Sequence, residues 1–337
     1  MGGPGVSTSS VAPLQVTSLT TTFVSRHRSV DVVRGVSFTL RRGETMMLLG
    51  ESGSGKSVTA RSIMQLYGAS AKLGGSVTMN GMELLGMSGS ELRSLRGGQV
   101  ALIPQDPTGA LDPLRRIGAQ LVEVLNVHGV ETTKPAARRR AEELLAMVGI
   151  PDPKRVADSY PHQLSGGMRQ RAVIAIAVSC DPQVLIADEP TTALDVTVQA
   201  QILELIVELQ QRSGTAVLMV THDVGVARDF GGRIGVMYAG KLVEEGPAAQ
   251  VLGDPKHPYT AGLLAALPTP GVERGHLRSI VGAPPPVGAF PAGCAFAPRC
   301  PQARPSCHEQ DPPLVDVAPD RSAACPVVNT TVGERAA

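Results

Sequence analysis

Eight consecutive residues, Gly50-Glu51-Ser52-Gly53-Ser54-Gly55-Lys56-Ser57, carry the clearest chemical signal in this chain. They fit G-x-x-x-x-G-K-[ST] and lie between an apolar strand and a helix, the context that pattern requires. Its glycines let backbone N–H groups curl around phosphate oxygens, and the helix start adds the positive end of its dipole. Lys56 suits β- and γ-phosphates, Ser57 suits Mg²⁺, and Val58 continues the helix. A second feature is an apolar strand ending in two acids, Val184-Leu185-Ile186-Ala187-Asp188-Glu189. At the mouth of a sheet beside a phosphate loop, Asp188 suits contact with Mg²⁺, directly or through water. Glu189 suits polarising an attacking water. A third is Ser165-Gly166-Gly167 immediately before a helix, another N-terminus suited to an anion.

These residues need a scaffold, and the pattern of apolar residues supplies one. Gln15–Thr20, Val32–Leu40 and Glu44–Leu49 read as strands. Gln99–Pro104, Gln183–Asp188, Ala216–Thr221 and Ile234–Tyr238 read as short buried strands with helical segments between several of them. The fold class is therefore α/β. Strand signals vanish between residues 106 and 165, where Ile117–Val127 and Pro135–Val148 have helical spacing, so an inserted helical subdomain is expected. In Val196–Arg212, the stripe Val198, Ile202, Leu205, Ile206 and Leu209 reads as core.

Composition narrows the classes. The 337 residues are 42% hydrophobic and 18% charged, which excludes a disordered chain. A net charge of +1 gives no general electrostatic footprint for nucleic acid. No apolar run approaches the roughly 18 residues of a membrane span. The opening MGGPGVSTSS lacks a basic start and an apolar segment, so residues 1–13 read as a flexible leader of a cytoplasmic chain.

From residue 255 onward the composition changes: 15 of the 27 prolines and four of the five cysteines fall there, so a separate, loop-rich module is expected. Cys294, Cys300, Cys307 and Cys325 are spaced C-x5-C-x6-C-x17-C. In a cytoplasmic protein such a group points to metal or cluster binding before disulfides. Spacing alone leaves an iron–sulfur cluster, zinc and unliganded thiols open, since the C-x2-C knuckle of many structural zinc sites is missing. Cys180 reads as a small buried hydrophobe.

Taken together, GESGSGKS, LSGGMRQR and VLIADEPTTALD, with Gln105 in IPQDP and His222 in VTHD, resemble the nucleotide-binding subunit of an ABC transporter over about residues 14–250. The resemblance implies a P-loop ABC ATPase that takes ATP and Mg²⁺. It also implies a head-to-tail dimer in which Ser165, Gly166 and Gly167, with Gln163 before them, meet the ATP held by the opposite subunit. Within it Gln105 senses Mg²⁺ and the γ-phosphate, His222 contacts the γ-phosphate, and Asp195 sits at the dimer seam. The family stacks adenine on an aromatic upstream of the phosphate loop; Phe23 is the best-placed candidate, with Val30 or Val32 as alternatives.

The segment GCAFAPRCPQARPSC after HPYTAGLLAALP is similar to the C-terminal extension of dipeptide, oligopeptide and nickel importer ATP-binding subunits. That resemblance implies a [4Fe-4S] cluster on the four cysteines, with zinc as the alternative. SGSGKSVT, QDPTGALDP and EPTTALDVTVQAQIL resemble the first of the two ATPase subunits such importers pair. The implied organisation is a nucleotide-binding domain at 14–254 containing the helical subdomain at 106–165, an extension at 255–330 and a tail at 331–337. The implied partners are a second, different ATP-binding subunit, two transmembrane permease subunits and, indirectly, a substrate-binding protein, with no nucleic acid. The implied location is the cytoplasmic face of the cell membrane, peripherally bound. A nickel or other small-solute importer is the alternative, and a soluble ABC ATPase acting on nucleic acid or ribosomes is the remote one.

Overall fold

The computed structural model describes residues 11–26, 28–192, 194–266 and 279–328. Residues 1–10 of the expected leader and the tail at 331–337 lie outside them. Twelve strands are described: β1 (Leu14–Val24), β2 (Ser29–Leu40), β3 (Thr45–Leu49), β4 (Ala71–Met79), β5 (Met82–Glu83), β6 (Val100–Ile103), β7 (Val184–Asp188), β8 (Ala216–Val220), β9 (Arg233–Tyr238), β10 (Lys241–Pro247), β11 (Val315–Ala318) and β12 (Arg321–Ala323). They form an antiparallel sheet, β2-β1-β4-β5, and a larger sheet, β11-β12-β10-β9-β3-β8-β7-β6. In the larger sheet β9, β3, β8, β7 and β6 run parallel.

Strand β3 explains why the centre reads as a continuous apolar run. Thr-Met-Met-Leu-Leu is buried along its whole length, with parallel neighbours on both sides. Alternation sends Met47 and Leu49 into one hydrophobic cluster and Met46 and Leu48 into another, so the sheet divides the core into two layers. The first layer takes in helices Ile117–Val127, Lys134–Met147 and Gly166–Val178. No strand occurs among residues 106–165, all of which are described. Helix Val196–Ser213 starts on Asp195, whose carboxylate accepts the Val198 N–H at 3.0 Å, and stops at Gly214 in the left-handed region. Of the stripe read from sequence, Ile202, Leu205, Ile206 and Leu209 are buried, while Val198 is only partly buried against the core.

The extension does not stand apart as a separate module. Strand β12 pairs with β10, and β11 with β12, so residues near the C-terminal end continue the main sheet. Asp311 binds both Arg34 on β2 and Lys241 on β10. The extension has too few apolar residues for a core of its own and uses the edge of the larger one.

His257 lies in this junction, only 2% exposed, and its Nδ1 accepts the Tyr259 N–H at 3.0 Å. Burial pushes its pKa from 6.5 down to about 4, although a hydrogen bond with the Ala324 backbone pulls the other way. The folded state therefore favours the neutral ring. Its contribution is fully present above pH 6.5 and is lost as pH falls towards 4. The expected loss over that window is about 3 kcal/mol. Urea unfolding at pH 7, 5.5 and 4.5 should therefore show a flatter pH dependence in His257→Asn, which keeps a helix-capping acceptor. An identical pH dependence in the two proteins would remove His257 as its source.

Candidate nucleotide site

The phosphate loop leaves β3 and turns into helix Lys56–Ile63. Its first glycine is obligatory: Gly50 has φ +150°, and a Cβ there would sit 2.3 Å from the Met237 carbonyl oxygen. Gly55, at φ +104°, starts the helix in a conformation only glycine adopts readily. Lys56 is folded inside the loop, where its ammonium donates to Gly50 O at 2.7 Å, Glu51 O at 3.0 Å and Ser54 Oγ at 3.4 Å. Burial pushes its pKa down, while Glu189, Asp188 and Glu51 pull it back up. Such a cation gains from an incoming phosphate more than an exposed one does, because less water screens the pair.

The remaining groups arrive at the same edge of the sheet. Gln105 follows β6, Glu189 follows β7 and His222 follows β8, three neighbouring parallel strands whose C-terminal ends open beside the loop. Glu189 is the hub, its backbone held at φ +49°. Its carboxylate accepts from Gln105 Nε2 at 2.8 Å and Thr192 Oγ1 at 3.0 Å, and His222 Nδ1 lies 3.2 Å away. Ser52, Gly53, Gly55, Lys56, Ser57, Val58, Gln105, Glu189, Thr192 and His222 line one cavity of about 540 Å³. Asp188 lies beneath it, fully buried, with Oδ2 bound to Arg61 at 3.2 Å. Its Oδ1 is buried with no hydrogen-bond partner among the described residues. That orphaned oxygen, together with a hydroxyl such as Ser57 in the first turn of the loop's helix, is the donor chemistry Mg²⁺ takes.

Ser165, Gly166, Gly167 and Gln163 do not line this cavity. Ser165 caps helix Gly166–Val178 through the Met168 N–H and remains exposed with Gly166. A Cβ on Gly167 would meet Val198 Cγ1 at 2.9 Å, so the signature helix lies tight against the helix capped by Asp195. Gln163 is engaged locally, accepting the Tyr160 N–H at 2.8 Å. Phe23 is not in the cavity lining either: it packs edge-on against Tyr67, ring centroids 4.9 Å apart. Neither Val30 nor Val32 lines the cavity.

The four cysteines of the extension share a neighbourhood but not a metal-binding geometry. Among the described residues, no three His, Cys, Asp or Glu side chains stand where they could hold one metal ion. The [4Fe-4S] cluster or zinc expected on Cys294, Cys300, Cys307 and Cys325 is thus not carried by this structure. Instead the thiols pack as small apolar groups, Cys294 and Cys300 against the larger core and Cys307 and Cys325 buried. Burial pushes the Cys294 and Cys300 thiols up, and Cys307 and Cys325 push the same way.

Three residues of this region escaped the sequence reading. Thr192 had a local signal, a hydroxyl three residues after Glu189. Arg61 had an indirect one, since a buried carboxylate such as Asp188 demands a cation nearby. Tyr259, whose hydroxyl accepts the Glu51 N–H at 2.8 Å from 208 positions away, had none.

A cavity with a phosphate loop and a carboxylate hub, and outside it a capped Ser-Gly-Gly helix start with Ser165 and Gly166 exposed, define a nucleotide-binding cassette, and comparison with known proteins agrees. Residues 33–192 match the ABC transporter family and residues 243–307 match the family described as oligopeptide/dipeptide transporter, C-terminal region. The oligopeptide transport ATP-binding protein OppD of Salmonella typhimurium is 46% identical over 312 residues, covering 93% of this chain and 92% of that protein. OppD of Mycobacterium tuberculosis is 45% identical over 325 residues, but this chain spans only 53% of that protein's length. Among solved structures, the ATP-binding cassette MJ0796 in a dimeric post-hydrolysis state with ADP and phosphate has a TM-score of 0.63 at 30% identity, covering 70% of this chain and 98% of that one. The chain belongs to the ABC transporter family, in the branch that carries the oligopeptide/dipeptide transporter C-terminal region.

Proposed function

We propose that this chain binds and hydrolyses ATP and thereby energises an importer of oligopeptides or dipeptides. The observation that carries hydrolysis is the Glu189 carboxylate held over the phosphate loop by Gln105, Thr192 and His222. Glu189 orients the attacking water and takes its proton, and His222 steadies charge on the transferring phosphoryl group. Gln105, bonded directly to Glu189, links that charge state to the helical residues 106–165. Mg²⁺ would be held by Ser57 and Asp188 beside Gln105 and would neutralise the phosphates. Lys56 and the loop's N–H groups bind and align the nucleotide.

The exposure of Ser165 and Gly166 outside the cavity supports a second ATP-binding subunit, with Asp195 at the seam. Two permease subunits and a substrate-binding protein complete the proposed assembly, at the cytoplasmic face of the membrane. Among the described residues no helix is long and apolar enough to cross it. The proposed division is a nucleotide-binding domain at 14–254, with a helical subdomain at 106–165, and an extension at 255–330. Iron and sulfide content after anaerobic purification decides the cluster reading of the four cysteines.

Peptide cargo is supported by the C-terminal family match and by the names of the relatives. Uptake of labelled dipeptide, longer oligopeptide and nickel is the test, in matched cells carrying wild type or Glu189→Gln. Selective loss of peptide uptake in the variant is the expected result. Loss of nickel uptake alone would reassign the cargo, and unchanged uptake of all three would reject the transport reading.

A further inference from the structure

Glu51 is the second residue of the phosphate loop, yet its partners come from the far end of the chain. Arg299 grips its carboxylate with both guanidinium nitrogens, Nη1 to Oε2 at 2.8 Å and Nη2 to Oε1 at 3.1 Å, across 248 positions of sequence. The Tyr259 hydroxyl accepts the Glu51 N–H. Both Glu51 handles, side chain and backbone, are therefore held by the extension. The holding groups are themselves fixed. Tyr259 is fully buried, and the Arg299 side chain is only 5% exposed. Arg299 also donates to Tyr238 Oη at 3.2 Å and to the Val281 carbonyl, and its guanidinium lies within 6 Å of the Tyr238 and Phe296 ring centres. Tyr238, Tyr259 and Phe296 pack on one another with centroids 4.5 to 5.4 Å apart, forming a rigid aromatic bed behind the loop.

A phosphate cradle works by presenting N–H groups in one geometry, and its glycines leave the backbone free to adopt many others. Freedom kept in the empty loop is lost on binding, so any tether that removes it beforehand tightens the nucleotide. A bidentate arginine–carboxylate pair is the most directional tether side chains offer, and here its arginine is buried while the carboxylate is partly exposed. Tyr238 ends β9, the strand adjoining β3, so the clamp is anchored to the sheet from which the loop itself springs.

We infer that Arg299 and Tyr259 are positioning residues for the nucleotide site: the C-terminal extension clamps Glu51 and pre-organises the phosphate loop. The inference rests on the nucleotide reading of residues 50–57 and goes beyond it, giving the extension a part in ATP affinity as well as in stability. The extension should therefore act on ground-state nucleotide binding more than on the chemical step, because none of its residues lines the cavity.

The test is equilibrium binding of a fluorescent ATP analogue with Mg²⁺ to full-length protein, followed by steady-state ATPase kinetics. Arg299→Met and Glu51→Gln should each raise Kd and KM by about tenfold with little change in kcat. Because the two side chains act as one pair, the double variant should bind no more weakly than the weaker single one. Tyr259→Phe keeps the aromatic bed and loses one neutral hydrogen bond, and should weaken binding by about threefold. It serves as the second variant should Arg299→Met not fold. Wild-type Kd in a folded Arg299→Met or Tyr259→Phe protein would overturn the inference. So would additive losses in the double variant, which would mean that Arg299 acts other than through Glu51. Failure of the wild-type chain itself to bind would overturn the nucleotide reading, and this inference with it.

Discussion

Replacing Glu189 with glutamine should cut steady-state ATP hydrolysis by about 10²- to 10⁴-fold while leaving nucleotide affinity near the wild-type value. The geometry separates the two effects. Lys56, Ser57 and the loop's N–H groups, the proposed phosphate binders, make no hydrogen bond to the Glu189 side chain among the described residues. Glutamine has the same length and keeps one carbonyl oxygen, enough to accept from either Gln105 or Thr192. It cannot accept a proton, and its amide turns a donor towards groups that were themselves donating. The loss should therefore fall on kcat, with KM little changed. Measuring ATPase rates alongside analogue binding tests both halves. Near-normal turnover would remove Glu189 from the base role, whereas lost binding would mean that its charge holds the loop in shape.

The parts of this site visible in sequence are those whose signal is local. Gly50 to Ser57 is one turn of chain, and Asp188-Glu189 ends one strand, so residue type and spacing carry their meaning. Gln105 and His222 follow strands too, but as isolated polar residues they acquired roles only through resemblance to a family. Their convergence on Glu189 follows from the order β3-β8-β7-β6, a property of the whole sheet. Phe23 illustrates the converse. Position upstream of the loop marks it as a candidate, whereas strand pairing opposite Val30 and Ala71 sets it against Tyr67. Strand β4 escaped because Gly74 and Gly75 interrupt its alternation. Gly75 is required there, since a Cβ would lie 2.3 Å from the Ser18 carbonyl oxygen. Strands β11 and β12 escaped for a different reason: Val-Asp-Val-Ala and Arg-Ser-Ala are too short to show a period, and only the exposed edge of β10 makes strands of them.

That edge also governs the largest expected change in stability. Arg321→Met should destabilise the protein by about 3–5 kcal/mol, because it strands a carboxylate in the interior. Glu244 on β10 is fully buried, and Arg321 on β12 is 4% exposed. Arg321 Nη2 donates to Glu244 Oε1 at 2.9 Å, and the same carboxylate accepts the Lys256 and His257 N–H groups at 2.8 and 2.9 Å. One buried anion thus fastens β12, the segment between helices Ala248–Gly253 and Pro258–Ala265, and the start of the second of those helices. Asp254, 69% exposed, lies 3.8 Å from Arg321 and is screened by water, so it contributes little to the pair. Methionine fills much of the arginine's volume, which keeps the loss electrostatic rather than a packing defect. Adding Glu244→Gln should recover part of it, since a neutral amide still accepts one backbone N–H and leaves no buried charge. Urea unfolding of the two single variants, the double variant and the wild type completes the cycle. A loss below about 1 kcal/mol in Arg321→Met would mean that water reaches Glu244 and that the extension is held elsewhere. The expected loss would instead make this ion pair the fastening that keeps Tyr259 and Arg299 against the phosphate loop.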